Sequence, residues 1–390
     1  MNNLRVFVTG GTGFIGSRLV EVLVEQFKAD VTVLCHRTSP GALRMAALGV
    51  KLDFSRIDDK ENLAKAMTGC DAVFHLAFGQ SGSASDMRNT TINGTQAMVD
   101  AALEVGVAHF INVSTAAVYF GAPDGVIDET APMRAWGWSY SDEKFEAEQI
   151  VRKAVAERSL PASIFQVAGV YGPWGATFLV SPLTQMRQGI VVLPNYGRGI
   201  ANLTYVDDVV QALLLGLKKE AHGETFVIKG PGTITRMEAY SELEKMLGYE
   251  AVVGMDTNEI KRKAGSYDWG SLKRILPVAI SELKRSKALK AEVRNSPIAP
   301  MAKSIYNMLK PKAGAVQAIQ TIGPPPVEAR PPLIYPHPIM VDYLSARVEF
   351  SSAKATRLLG YSPRYSLSEG MGLSHEWAKW ANLLGPRFKN

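Results

Sequence analysis

The chain has 390 residues, is 46% hydrophobic and 21% charged, and carries a formal net charge of +6. That composition excludes collagen-like, fibrous and mainly disordered classes, and so small a charge gives no reason to expect a nucleic-acid partner. No run approaches the ~18–20 apolar residues of a membrane-spanning helix, no signal-peptide core precedes the first apolar run, and Cys35 and Cys70 make neither a disulfide framework nor a zinc site. A cytoplasmic protein without a metal site is therefore expected.

Val6-Phe7-Val8 predicts a first strand and Ile15 to Phe27 a first helix. Between them runs Val8-Thr9-Gly10-Gly11-Thr12-Gly13-Phe14-Ile15-Gly16, with glycines at 10, 13 and 16. The first permits a tight turn, the middle one lets backbone approach a pyrophosphate, and the last lets helix pack on strand. The helix N-terminus then offers N–H groups and a positive dipole to phosphates. Phe14 and Ile15, in the same turn, join the glycines as candidate cofactor-binding residues.

The second strand runs Val33-Leu34-Cys35-His36-Arg37. Binders of NAD usually end it with an acid for the ribose hydroxyls. Here the acid is missing and Arg37 is placed to meet a 2′-phosphate, which favours NADP over NAD. Asp53 and Phe54 follow the third strand and are counted with the cofactor site. The Asp53 carboxylate would accept from an adenine amino group or, equally, cap a turn.

Apolar runs at 72–74, 110–113 and 164–167 predict three more strands, alternating with helix-period stretches at 60–67, 93–105 and 140–157. Such alternation reads as an α/β protein with a doubly wound parallel sheet, whose ligand lies at the carboxyl ends of the strands. Ser114 and Thr115 end the strand that starts near Phe110, and their hydroxyls would reach a substrate oxygen there. Tyr140 and Lys144 lie one turn apart on one face of the following helix. A nearby ammonium and a positive nicotinamide would lower the tyrosine's ordinary pKa of ~10. Tyr140 would then pass a proton to or from a secondary alcohol while hydride moves to or from the nicotinamide.

After Gly172 prolines break the pattern. Leu203 to Leu217 is regular again and Thr225 to Ile228 predicts a returning strand. From Met255 to Lys312 there are 13 Lys or Arg against 5 Asp or Glu, and Gly323-Pro324-Pro325-Pro326 marks an extended segment.

These residues together resemble the extended short-chain dehydrogenase/reductase superfamily, which includes nucleotide-sugar epimerases and dehydratases, steroid dehydrogenases and flavonol-type reductases. Gly10, Gly13 and Gly16 match its nucleotide turn. His75-Leu76-Ala77 matches its fourth-strand motif, so Leu76 and Ala77 are assigned to the cofactor. Asn93-Gly94-Thr95 matches the helix behind the site. In Ser114-Thr115-Ala116-Ala117-Val118-Tyr119, Thr115 takes the catalytic hydroxyl position, and Tyr140 and Lys144 match the active pair, with Lys144 also on the nicotinamide ribose. Gly169-Val170-Tyr171-Gly172-Pro173, Tyr205-Val206-Asp207-Asp208 and the segment from Phe350 to Pro363 match later landmarks. The resemblance spans nearly the whole chain except about 255–345.

It implies a Rossmann domain over 1–171 with a return segment about 201–230. A substrate lobe takes 172–200 and 231–390, including the basic, Pro-rich insert at about 255–345. It also implies a homodimer. Nucleotide-sugar members commonly carry an Arg where this chain has Ala201. Arg198 would substitute only through loop flexibility. The loop at Tyr119-Phe120-Gly121 is one residue longer than usual. Trp138, Ser114 and Arg198 are candidate substrate residues. Within the insert, apolar residues between Leu272 and Leu283 recur at helical spacing, interrupted by Pro277. They read as a lobe helix pair with a basic face, as a surface for an anionic membrane, or as a source of phosphate contacts.

The expected function is an NAD(P)-dependent oxidoreductase acting at a secondary alcohol or ketone of a medium-sized, possibly sugar-like small molecule. Two other readings stand beside it. One is a nucleotide-sugar epimerase or dehydratase that recycles its NAD, and the other is a non-catalytic NADP-binding sensor or scaffold.

Overall fold

The computed structural model describes residues 4–80, 82–265 and 331–385. In chain order, β1 (Arg5–Thr9), α1 (Phe14–Glu25), β2 (Asp30–Leu34), α2 (Pro40–Ala47), β3 (Lys51–Asp53), α3 (Lys60–Met67), β4 (Ala72–His75), α4 (Ala84–Arg88), α5 (Gly94–Val105) and β5 (His109–Thr115) come first. There follow β6 (Gly125–Ile127), α6 (Ser139–Arg158), β7 (Ala162–Val167), β8 (Gly169–Tyr171), α7 (Ser181–Gln188), β9 (Ile190–Pro194), β10 (Leu203–Tyr205), α8 (Val206–Lys218) and β11 (Thr225–Ile228). The remainder holds α9 (Arg236–Leu247), β12 (Val252–Met255), α10 (Thr257–Gly265), β13 (Leu333–Ile334), α11 (Pro338–Ser345), β14 (Val348–Phe350), α12 (Ala353–Leu359) and α13 (Leu367–Trp380).

Seven strands form one sheet in the order β11-β7-β5-β4-β1-β2-β3, and every pairing in it is parallel. The alternation of β1 shows why it has two covered faces. Val6 and Val8 share a core with Leu19 and Leu23 of α1 and Val209 and Leu213 of α8. Phe7 shares the opposite core with Leu63 of α3, Met98 of α5 and Val151 of α6. Successive side chains of a strand point to opposite faces, so an unbroken apolar run needs a helix layer on each side. The strand order reverses between β1 and β4, which makes this a Rossmann-type doubly wound sheet with its crevice at the carboxyl ends of those two strands.

The predicted strands fall in β1, β2, β4, β5, β7 and β11, and the predicted helices in α1, α3, α5 and α6. The regular stretch from Leu203 resolves into the short β10 followed by α8. A separate core gathers Leu179, Leu183, Val191, Leu193, Leu243 and Met246 about the three parallel strands β12-β9-β13.

The chain divides into two compact units, residues 1–257 with 332–390, and residues 258–331. In the second, Lys263 pairs with Glu259 at 2.7 Å along α10. Of the stretch 255–345, the parts 266–330, with the Leu272–Leu283 pattern and the possible membrane surface, lie outside the described residues. Residues 333–345, which the sequence left in the same stretch, form β13 and α11. Among the described residues no helix is long and apolar enough to cross a membrane, and no group of three or more His, Cys, Asp or Glu is gathered as for a metal ion.

Candidate active site

The turn after β1 is shaped by what a side chain would strike. Gly10 has φ +70°, and a Cβ there would lie 2.9 Å from the Ala77 nitrogen, at the end of β4. At Gly16 a Cβ would come within 2.2 Å of the Gly10 oxygen. These two glycines bring α1 and β4 against the turn. Gly13 is different, for its Cβ would meet only the Gly10 oxygen, at 3.2 Å. Gly13 is exposed and is the N-cap of α1, with no side-chain cap and no acid in the first turn. The first-turn N–H groups of α1 are thus open to an anion, with no carboxylate competing for them. That cradle fits the diphosphate of a dinucleotide. Phe14 and Ile15 are half-buried and pack into the lobe core. They therefore offer their backbone, not their side chains, to such a group.

The end of β2 leaves Cys35 buried and its thiol pushed up by that burial and by Asp53. His36 and Arg37 are exposed. No ion pair to Arg37 is formed among the described residues. Next to it α2 starts with Ser39 as a side-chain N-cap. Its Gly41 runs so close to the glycine turn that a Cβ would lie 3.0 Å from the Thr12 oxygen. Asp53 ends β3. Its Oδ1 accepts from the Ser55 N–H at 2.8 Å, capping its own turn, while Phe54 is half-exposed.

At the end of β4, His75 is buried between two hydroxyls, Thr9 on Nδ1 at 2.8 Å and Thr95 on Nε2 at 2.9 Å. Burial, with the Lys144 charge added, drives its pKa down to about 3. It is a neutral structural residue that fixes the ends of β1 and β4. Leu76 and Ala77 follow, and the Ala77 N–H donates to the Thr9 hydroxyl at 3.2 Å.

Thr115 and Tyr140 come together, whereas Ser114 does not join them. Ser114 donates its hydroxyl to Glu148 Oε2 at 2.5 Å, inside the protein. Ser114 is buried there, because strand alternation sends its side chain to the face opposite that of Thr115. Tyr140 is half-buried. Burial raises its pKa, and the Thr115 hydroxyl beside it opposes that rise. The upward direction differs from the lowering expected of a neighbouring ammonium. Lys144 gives Nζ to the Val113 carbonyl at 2.8 Å instead. Desolvation lowers Lys144 to about 8, and Glu148 one turn further along α6 holds it up.

Glu148 was not singled out by the sequence. It is fully buried, and it gathers Ser114, Gln166 Nε2 at 2.8 Å and Arg152 Nε at 2.8 Å. Its signal was the spacing of four from Tyr140 through Lys144, Glu148 and Arg152, which puts all four on one helix face.

A row of rings leads away from Tyr140. Phe78 meets it edge-on at 5.4 Å, and the Trp138 ring is also 5.4 Å from it, tilted by 56°. Phe120 stacks on Trp138 with planes 4° apart, and Tyr343 is 4.3 Å from Phe120. Asp142 holds the approach by accepting from the Trp136 N–H at 2.6 Å and the Gly137 N–H at 2.9 Å. Phe120 is the extra residue of its loop. Tyr343 had no motif to mark it. Arg198 is exposed, its guanidinium 5.6 Å from the centre of the Tyr196 ring, and Ala201 is buried. Asp207 pairs with Arg18 through both oxygens, and Asp208 accepts from the N–H groups of Arg364 and Tyr365.

The family model described as the NAD dependent epimerase/dehydratase family matches residues 6–228. The chain is 26% identical over 383 residues to 3beta-hydroxysteroid-dehydrogenase/decarboxylase isoform 2 of Arabidopsis thaliana, covering 93% of this chain and 60% of that protein. It is 31% identical over 251 residues to the dTDP-D-glucose 4,6-dehydratase of Mus musculus, covering 57% of this chain and 67% of that one. The solved UDP-glucuronic acid 4-epimerase of Bacillus cereus in complex with NAD superposes with a TM-score of 0.65 at 19% identity, covering 97% of this chain and 99% of that one. That last likeness is one of fold.

Proposed function

Because the chain belongs to the NAD dependent epimerase/dehydratase family of enzymes, we propose that it is an NADP-preferring oxidoreductase that interconverts a ketone and a secondary alcohol. The observation that carries this reading is Tyr140, half-buried beside the Thr115 hydroxyl, with Lys144 one helical turn away. A bound NAD(P) supplies the hydride donor or acceptor. The residues in hand supply the rest.

Thr115 holds the substrate oxygen by a hydrogen bond. Tyr140, its pKa raised by burial, keeps its phenolic proton through neutral pH and delivers it to that oxygen as the carbonyl is reduced. Lys144, anchored on the Val113 carbonyl, keeps a positive charge near the site below pH of about 8 and steadies the developing negative oxygen. The α1 N-terminus takes the diphosphate. The open guanidinium of Arg37 beside the α2 N-terminus supports a 2′-phosphate, because a cation without a carboxylate partner is free to pair with one. Leu76 and Ala77 line the cofactor's path.

On the same reading residues 1–171 with about 201–230 bind the cofactor, and the remaining segments make the substrate lobe. The protein works in the cytoplasm, where Cys35 and Cys70 stay free thiols, and pairs as a homodimer. The nucleotide-sugar alternative lacks its expected cation, for Ala201 is buried and apolar.

The test is Tyr140→Phe. It removes only the proton donor, so kcat is expected to fall about a thousandfold with NADPH affinity unchanged. Retained turnover in that variant overturns the reading.

A further inference from the structure

Tyr140 is the second residue of α6 and Lys144 the sixth, so the reacting pair sits on a helix start. Such a start leaves its first N–H groups without partners in the helix, and its entry angle is set by whatever caps it. Two other helices carry a capping box there, Thr235 with Glu238 at α9 and Ser366 with Glu369 at α13. The N-cap of α6 is Trp138, whose side chain makes no cap bond.

Asp142, the fourth residue of α6, takes over the task by reaching backward. Its Oδ1 accepts from the Trp136 N–H at 2.6 Å and its Oδ2 from the Gly137 N–H at 2.9 Å. Gly137 has φ +89°, and a Cβ there would meet nothing within 4 Å. Glycine is thus required by the left-handed backbone, which lets two successive N–H groups converge on one anion. The Trp138 carbonyl in turn accepts from the Ser141 hydroxyl and from the Asp142 N–H, both at 3.0 Å. Trp138 is therefore held on both sides by the first turn of α6, and hydrogen bonds to a carboxylate are the stronger kind.

What Trp138 touches gives this clamp its purpose. Its ring lies 5.4 Å from that of Tyr140 and stacks on Phe120 with planes 4° apart. Trp136 meets the same Phe120 edge-on at 5.6 Å, and Arg134 donates to the Gly121 carbonyl at 3.0 Å. The segment 134–138 is thus tied to the Phe120 loop by ring contacts and a guanidinium, and to α6 by Asp142. The ionisation of Tyr140 is governed by its burial, with Thr115 and Tyr343 as neighbours, so the part left to Asp142 is placement.

We propose that Asp142 is a positioning residue for the reaction: by clamping the Trp136 and Gly137 amides it holds Trp138 against Tyr140, and so keeps the Tyr140 hydroxyl beside Thr115. This rests on Tyr140 as the proton donor. Rate falls steeply when a reacting group leaves its alignment, so a carboxylate bonded to backbone amides can govern turnover.

The experiment uses the full-length protein with NADPH and 1-phenylpropane-1,2-dione, whose adjacent carbonyls make it an easily reduced probe. Turnover is followed by loss of NADPH absorbance. Asp142→Ala should lower kcat about tenfold to a hundredfold. Its KM should stay within about threefold, because placement of the donor matters in the transition state and not in binding. Asp142→Asn keeps one acceptor oxygen and should fall between the two. In a Tyr140→Phe background Asp142→Ala should change kcat by no more than about twofold, since the two residues act as one unit. In protein labelled with 5-fluorotryptophan, the fluorine signals of Trp136 and Trp138 are assigned from their phenylalanine variants. Both should move in Asp142→Ala while those of the other tryptophans stay, a result that needs no substrate. Unchanged NADPH affinity marks the variants as folded, and Asp142→Asn carries the test if the alanine variant does not fold. The inference is overturned if Asp142→Ala keeps the wild-type kcat, if its loss persists in full on Tyr140→Phe, or if both fluorine signals stay in place. An active Asp142→Ala beside an inactive Tyr140→Phe removes this inference alone, whereas normal turnover in Tyr140→Phe removes the proton donor as well.

Discussion

Gly10 to Gly16 make one end of the crevice from seven consecutive residues, whereas Phe78, Thr115, Phe120, Tyr140 and Tyr343 make the other from segments far apart in the chain. The first end works through backbone. Its glycines are needed because side chains would strike Ala77 and Gly10 itself, and the N-terminus of α1 carries no side-chain cap and no acid in its first turn. The second end works through side chains whose properties are set by neighbours. Lys144 is lowered by burial and held up by Glu148, and Tyr140 is raised by burial. A backbone site should thus fail abruptly on a small change, and a side-chain site should be tunable.

The largest effect is expected at the backbone end. Gly16→Ala puts a methyl 2.2 Å from the Gly10 oxygen, so the turn must open. Destabilisation of about 3 kcal/mol is expected from such overpacking, together with loss of NADPH binding, read by urea unfolding and by titration. If Gly16→Ala binds NADPH as the wild type does, the backbone account of this end is wrong.

Arg37→Ala sharpens the same end. It should weaken NADPH about tenfold, roughly 1.4 kcal/mol, and leave NADH unchanged, because only NADPH carries the 2′-phosphate. Equal weakening of both cofactors would assign Arg37 to general attraction and remove the NADP preference.

The smallest and most graded change is expected at the side-chain end. Lys144 is lowered from 10.5 to about 8, so its ammonium is lost as pH rises through 8, and kcat/KM for reduction should fall there. Stability moves the other way. Below about pH 8 both folded and unfolded chains carry the Lys144 proton, and between about 8 and 10.5 only the unfolded chain does. The unfolded state then binds more protons, and this group's contribution to stability rises with pH across that window. Glu148→Gln removes the charge that holds Lys144 up and should move the activity limb to lower pH. A pH–rate profile with the same limb in both proteins would detach Glu148 from Lys144.

Much of the fold was legible because its signals are local. Apolar β-branched runs alternating with helical periods gave the parallel sheet, and the glycine turn fell between β1 and α1 where expected. That Thr115 ends a strand and that Tyr140 and Lys144 share one helix face was legible too. The partnerships were not. Ser114 looked as available as Thr115 until the strand turned it toward Glu148. That the Asp53 carboxylate accepts from the Ser55 N–H was not marked by any motif. Tyr343 sat in a stretch with no motif.

What the sequence by itself determined is therefore the set of elements, the glycine turn between β1 and α1, and the placing of Tyr140 and Lys144 on one helix face, because periodicity, glycine spacing and a separation of four act within a few residues. Tertiary structure alone decided which hydroxyl lies beside Tyr140 and which beside Glu148, which way burial moves Tyr140 and Lys144, and that Phe120, Trp138 and Tyr343 come together. Desolvation and ring packing depend on atoms brought together from distant parts of the chain, and no local pattern records them.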